Sequence, residues 1–151
     1  MTITLRTDSK NKDFQTLINS LDAYLSKING DEHGFFSQYN SVDHINNVVI
    51  IYKGDIAVAC GAFKPFDKNT AEVKRMFVHP EYRGKKFSRL ILTELETWAS
   101  ELGFYKCVLE TSRKLTAAVN LYQNSGYEKI ENYGQYIGVA TSICFEKTIA
   151  H

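Results

Sequence analysis

Between residues 73 and 90 the chain changes character twice, and that passage most restricts what it can fold into. A β-rich run that includes Val73, Met76, Phe77 and Val78 meets Pro80, then the basic, glycine-bearing stretch Arg83-Gly84-Lys85-Lys86. Beyond it, Phe87, Leu90, Ile91, Leu95, Trp98 and Leu102 recur at helical spacing until Gly103 stops them. This reads as a strand, a tight turn and a helix, with the helix opening at Gly84. A helix start offers unpaired amides and the positive end of a dipole, which suits a pyrophosphate. Arg83, Lys85, Lys86 and Arg89 bring four positive charges within seven residues to that point. An anion site and a solvated basic helix start both remain open on the residues alone.

The rest of the chain supplies a scaffold for such a passage. Residues 2–7 alternate as a short strand, and Asp8 or Ser9 is placed to cap the helix after it. From Asp13, the residues Phe14, Leu17, Ile18, Leu21, Leu25 and Ile28 mark that helix, which Gly30 ends. Residues 33–39 are aromatic without a clean period and read as a loop or short second helix. Two β-rich runs, 48–52 and 56–63, flank Lys53-Gly54-Asp55 as a hairpin would. After a third run at 71–78 and the helix already described, residues 105–109 form a strand and 116–124 a helix ended by Gly126. Residues 127–130 and 140–149 are β-rich again. The order β-α-(α)-β-β-β-α-β-α-β-β contains no repeat and no linker. It predicts one domain over residues 1–151, of the α/β (α+β) class, with one mixed sheet covered by helices on both faces.

Composition excludes several classes. With 151 residues, 44% of them hydrophobic, the chain can bury a core without disulfide or metal staples. A net charge of +1, from 18 basic and 17 acidic side chains, gives no global attraction for nucleic acid or an anionic membrane. The start of the sequence lacks the apolar run of a signal peptide, and no stretch reaches the roughly 20 apolar residues that span a bilayer. Cys60, Cys107 and Cys144 lie far apart among apolar neighbours, as buried reduced thiols do, and lack metal-ligand spacing. No metal is expected, and the chain reads as a cytoplasmic protein.

The 73–90 segment resembles the acyl-CoA-binding motif of the GNAT superfamily of N-acyltransferases, Arg/Gln-x-x-Gly-x-Gly/Ala after a strand and a proline-containing turn. The motif maps onto Arg83-Gly84-Lys85-Lys86-Phe87-Ser88. Lys86 stands where the first motif glycine is usual and Ser88 where the second glycine or alanine is usual. Ser88 is small enough for close backbone approach. Lys86 carries a Cβ, so a helical first turn is its expected conformation. Further on, Leu121-Tyr122-Gln123-Asn124-Ser125-Gly126-Tyr127 resembles the later family segment Leu-Tyr-x-x-x-Gly-Phe/Tyr, and the spacing of 39 residues from Arg83 to Tyr122 also fits. The element order agrees with the family from first strand to last, which implies a GNAT-like, largely antiparallel central sheet.

That resemblance implies roles. Met76, Phe77 and Val78 would hold the pantetheine arm of acetyl-CoA through backbone groups. Arg83, Gly84, Lys85, Lys86, Phe87, Ser88 and Arg89 would hold its pyrophosphate. Tyr122 matches the general acid that protonates the departing sulfur, although a core tyrosine on a helix also fits it. Glu72 and Glu110 each match places where members carry the general base, Glu72 being the slightly favoured one. The family's pantetheine-binding asparagine falls on Leu115, which leaves Asn120 as a substitute. Lys74 and Arg75 are placed to attract a substrate carboxylate or to form structural ion pairs. His33, Phe35, Phe36, Tyr39 and the stretch Tyr133-Gly134-Gln135-Tyr136 fall where the family shapes its acceptor pocket. His44 and His79 read as surface or turn residues.

The function so implied is N-acetyl transfer from acetyl-CoA, used as cosubstrate, to an amine, by direct transfer in a ternary complex. A small-molecule acceptor is the first expectation, and a protein N-terminus or lysine the variant. The departures at Lys86 and Leu115 motivate a rival reading as a non-catalytic acyl-CoA sensor. Family members often pair through terminal strands, so a homodimer stays open.

Overall fold

The computed structural model describes residues 1–30 and 44–149. Its elements are β1 (Thr2–Thr7), α1 (Lys12–Asn29), β2 (Asn47–Lys53), β3 (Ile56–Pro65), β4 (Thr70–Val78), α2 (Phe87–Glu101), β5 (Lys106–Ser112), α3 (Thr116–Asn124), β6 (Glu128–Ile130) and β7 (Ser142–Thr148). Single 3-10 turns lie at Pro80–Tyr82 and Gly134–Tyr136. The aromatic stretch with His33, Phe35, Phe36 and Tyr39 lies outside the described residues. The strands hydrogen-bond in the order β1-β2-β3-β4-β5-β7-β6. β4 and β5 pair in parallel, whereas β1–β2, β2–β3, β5–β7 and β6–β7 are antiparallel. This is the expected mixed, largely antiparallel sheet.

The chain divides into two compact units, Met1–Lys64 with Lys74–Leu95, and Pro65–Val73 with Glu96–His151. In the first, β2 and β3 form the expected hairpin, turning at Gly54 with φ +60. α1 is capped by Asn11, whose side chain accepts from the amides of Asp13 and Phe14. The expectation of a cap at Asp8 or Ser9 is corrected here. Ser9 is buried and exchanges hydrogen bonds with the backbone of Ile45, and Asp8 accepts from the Lys10 amide. Both side chains are therefore spent on the turn before the helix.

Alternation along β3 explains how both of its faces are covered. Cys60 and Ala62 join Phe14, Leu17, Ile18, Leu21, Val48, Ile50 and Phe77 in one buried cluster, which is the α1 side. Gly61 points the other way, where Ile91 and Leu95 of α2 and Met76 of β4 close over it. The buried stripe of α2 is Phe87, Ile91, Leu92, Leu95 and Ala99, while Leu90 and Leu102 of the expected stripe are about half exposed. α2 starts at Phe87 and not at Gly84, because Gly84 and Lys86 hold positive φ angles that no α-helix contains.

The second unit is built on β5 and β7, paired from Lys106↔Thr148 to Ser112↔Ser142. Glu96 ties it together, accepting from Lys147 Nζ at 2.8 Å and from the Tyr127 hydroxyl at 2.9 Å. Tyr127 N–H in turn bonds the Tyr122 carbonyl, so the end of α3 is held where β6 begins.

Gly61 is the residue that lets α2 approach the sheet. A Cβ there would stand 2.5 Å from Ile91 Cγ2 and 2.7 Å from Met76 Sδ. Gly61→Ala is expected to destabilise the fold by about 1–3 kcal/mol through overpacking, seen as a lower urea midpoint.

Candidate active site

β4, the strand that leads to the basic loop, holds one residue of unusual backbone conformation near its middle. Its parallel ladder with β5 joins Thr70–Glu72 to Lys106–Val108. Three residues later Arg75 adopts φ +61, a left-handed conformation costing a non-glycine residue about 1–2 kcal/mol. Arg75 is nonetheless buried, at 6% exposure. Its guanidinium faces Asp22 of α1, with Nη1 3.2 Å from Oδ1 and Nη2 donating to Oδ2 at 3.3 Å. The Cys60 thiol donates to its carbonyl at 3.5 Å. Beyond Arg75, Phe77 enters the α1 cluster, and Met76 and Val78 are half-buried.

The basic loop is fastened to the end of this strand. Arg83 Nε donates to the Val78 carbonyl at 3.1 Å, and its guanidinium stacks over Tyr24 and Phe77 at 5.1 and 5.8 Å from the ring centroids. Arg83 therefore holds the loop to β4 as well as contributing charge. His79 caps the 3-10 turn by accepting from the Glu81 amide, a turn role as expected. Lys86 has φ +68, which corrects the expected helical conformation. It takes the left-handed geometry that suits the glycine usual at this motif position. Its carbonyl accepts from the Leu90 amide, so the amides of Phe87, Ser88 and Arg89 precede the first intrahelical bond of α2. Arg83, Gly84, Lys85, Lys86 and Arg89 are exposed, Ser88 is half-buried, and the Phe87 side chain is core.

In the second unit the two candidate bases share one neighbourhood. Glu72, 5% exposed, accepts from the Tyr133 hydroxyl at 2.8 Å. Glu110, half-buried, accepts from Ser142 Oγ at 2.7 Å. The charges of both carboxylates reach Tyr136 and Cys144. Phe66 and Tyr136 each pack edge-on against the Tyr133 ring, at 5.0 and 5.8 Å. One amide, Asn132 Nδ2, donates to the carbonyls of Tyr136, Val139 and Ser142 and pins this aromatic loop. An open depression of about 720 Å³ adjoins the loop, bordered by Arg113, Lys129, Glu131, Asn132, Ile137 and Ser142.

Tyr122 is buried in α3, edge-on to Tyr127 at 5.8 Å. Burial, and after it the charge of Glu110, pushes its phenol above the ordinary tyrosine range, so it keeps its proton at neutral pH. Burial and then the Glu72 charge do the same for Tyr133, which stays a hydrogen-bond donor to that carboxylate. Asn120 is exposed on α3, Leu115 precedes that helix without a side-chain cap bond, and Lys74 is half-buried. Sequence reading does not find Ser142, Phe66, Asn132 or Asp22. Their partners lie across the fold, and no local spacing announces them.

The acetyltransferase (GNAT) family model matches residues 14–127. An uncharacterized N-acetyltransferase of Schizosaccharomyces pombe is 37% identical over 78 residues, covering 51% of this chain and 48% of that protein. The chain thus spans about half the length of this relative. A Klebsiella pneumoniae structure, provisionally termed an acyl-CoA N-acyltransferase, superposes with a TM-score of 0.82 at 25% identity over 99% of this chain and 98% of that one. The fold also matches an N-acetyltransferase of Thermoplasma acidophilum solved in complex with coenzyme A, at TM-score 0.71 and 17% identity over 98% and 99% of the two chains.

Lys86→Gly and Lys86→Ala both remove the charge, and only glycine relieves the backbone. The glycine variant is expected to be the more stable of the two by about 1 kcal/mol in urea denaturation. Burial pushes the Cys60 and Cys107 thiols each up to about 12. The unfolded thiol ionises first as pH rises, so this contribution to stability is complete below about pH 8.5 and is lost progressively towards 12. The urea midpoint should fall between about pH 8 and about pH 10.5, and Cys60→Ala should narrow that difference.

Proposed function

The chain belongs to the acetyltransferase (GNAT) family, and on that premise we propose that it transfers the acetyl group of acetyl-CoA to the amine of a small molecule, as a single catalytic domain. The observation that carries this reading is backbone geometry. Arg75 in β4 and Lys86 before α2 are the non-glycine residues at positive φ among those described; Arg75 immediately precedes the segment proposed for the pantetheine, and Lys86 lies within the one proposed for the pyrophosphate. Strain of this kind persists where the surrounding structure over-determines it, often at functional sites.

In this reading the amides of Met76, Phe77 and Val78 bind the pantetheine arm and polarise the thioester carbonyl. The amides of Gly84 to Arg89, with the charges of Arg83, Lys85, Lys86 and Arg89, take the pyrophosphate at the start of α2. Glu72 accepts the proton of the incoming ammonium, directly or through one water, with Glu110 as the alternative base. The amine nitrogen forms the new bond to the acyl carbon, the carbon–sulfur bond breaks, and Tyr122 gives its proton to the departing sulfur. Asn120 is exposed, which leaves it a secondary candidate for the pantetheine. Phe66, Tyr133 and Tyr136 around a buried carboxylate suit an ammonium group and a compact acceptor more than an extended peptide. A protein N-terminus or lysine is the alternative acceptor.

The sensor reading rests on Lys86 replacing a glycine and on Leu115 replacing an asparagine. Lys86 adopts the glycine conformation, which removes the first motive, and a sensor has no use for a buried tyrosine near the Glu110 carboxylate.

The test is amine-dependent release of free CoA thiol from acetyl-CoA across a panel of small amines and peptides. Release with small amines supports the proposal, release with peptides alone moves the acceptor class, and release with none contradicts it. Tyr122→Phe is expected to lower kcat by on the order of 10²-fold while acetyl-CoA affinity holds. Glu72→Gln is expected to lower kcat by on the order of 10²-fold and to remove the fall in rate toward acid pH, and if Glu110→Gln alone does so, Glu110 is the base.

A further inference from the structure

Arg75 poses a problem that the proposed transfer does not yet use. Its side chain is 3% exposed, and the Asp22 side chain that faces it is 47% exposed. Nε and Nη1 are buried with no hydrogen-bond partner, although Nη1 lies within ion-pair distance of Asp22. A guanidinium presents two forks. Asp22 faces the end-on fork formed by Nη1 and Nη2, while the side-on edge that carries Nε has no acceptor. Buried cationic donors left in this condition are costly, and a second oxyanion is the group whose shape matches the open edge.

Position narrows which oxyanion that is. Arg75 immediately precedes Met76-Phe77-Val78, and the loop held by Arg83 comes after them. About 10 Å of strand separates Arg75 from Val78, whose carbonyl Arg83 grips. The pyrophosphate proposed for the loop is thus at the far end of this segment, and Arg75 lies at the end nearer in sequence to Glu72, the proposed base. The exposed cations of the loop suit solvated phosphates, whereas a dry planar fork suits a single carboxylate.

We infer that Arg75 binds a carboxylate of the acceptor, so that the amine acetylated by this chain is an amino acid or another amine bearing a carboxyl group. The inference rests on the acetyl-transfer reading above and names its substrate class. Asp22, whose side chain is about half exposed, gives way or shares the guanidinium when the acceptor enters.

The experiment compares matched acceptors, phenylalanine against phenethylamine and leucine against isopentylamine, together with β-alanine against ethylamine. Thiol release gives kcat/KM, and calorimetry with acetyl-CoA shows whether each variant is folded. The expected result is a preference of at least about tenfold for the acid of at least one pair, because a site built to hydrogen-bond a group rejects the analogue lacking it. Arg75→Lys keeps the charge and loses the fork, and should erase that preference by raising KM for the acid more than it changes the rate with the amine. Asp22→Asn removes the competing anion and should lower KM for the acid. Equal use of acid and amine by the parent chain overturns the inference, as does a preference that survives Arg75→Lys. If acetyl-CoA binds and no amine of either kind releases thiol, the transfer reading itself fails and takes this inference with it.

Discussion

The structure depends on how β4 leaves its parallel ladder. Thr70–Glu72 pair with β5, and within three residues Arg75 adopts a left-handed backbone conformation. A regular strand would continue to spend its amides on neighbours and would keep its side chains alternating. Phe77 goes into the α1 cluster and Met76 toward Gly61. The basic loop inherits its placement from the same strand, because Arg83 is bonded to the Val78 carbonyl. Strain is accepted at Arg75 and again at Lys86, and it is held by the buried packing on either side.

Much of the fold was legible in the sequence because its signals are local. The periods of α1 and α2, the Gly54 hairpin and the turn at Pro80 each predict their own element, and together they give the observed order. The segment around Arg83 and the one around Tyr122 are equally local, which is why a family resemblance can be read from them. The differences have physical causes. Asn11 outcompetes Asp8 and Ser9 as the cap because the Ser9 side chain is taken by Ile45, a contact across 36 positions. The residues alone start α2 too early because Lys86 shows no sign, as a residue type, of a positive φ. Only the packed loop imposes that conformation. The partners of the candidate bases were illegible for a third reason. Tyr133 meets Glu72 across 61 positions and Ser142 meets Glu110 across 32, and no pattern along the chain encodes such pairs.

The second unit shows how a carboxylate is held within a folded core. Glu72 and Glu110 each accept a hydrogen bond from a neutral hydroxyl. Such a partner fixes the orientation of the side chain. The hydroxyl of Tyr133 stays protonated because burial and Glu72 both oppose its ionisation. Tyr122 is kept protonated by burial and by the Glu110 charge. The Glu110 charge thus acts on both Tyr122 and Tyr136, while Glu72 accepts from Tyr133.

Calorimetric titration of acetyl-CoA into the purified chain tests the central claim most directly, since every proposed role assumes that β4 and the Arg83–Ser88 loop form its binding site. The account predicts one site per chain with a dissociation constant on the order of micromolar, about −8 kcal/mol. It further predicts weaker binding as salt rises, because exposed cations meet the phosphates. The absence of binding heat at millimolar acetyl-CoA would contradict the account, because a strained strand residue and a basic loop would then have been read as a cosubstrate site that the chain does not possess.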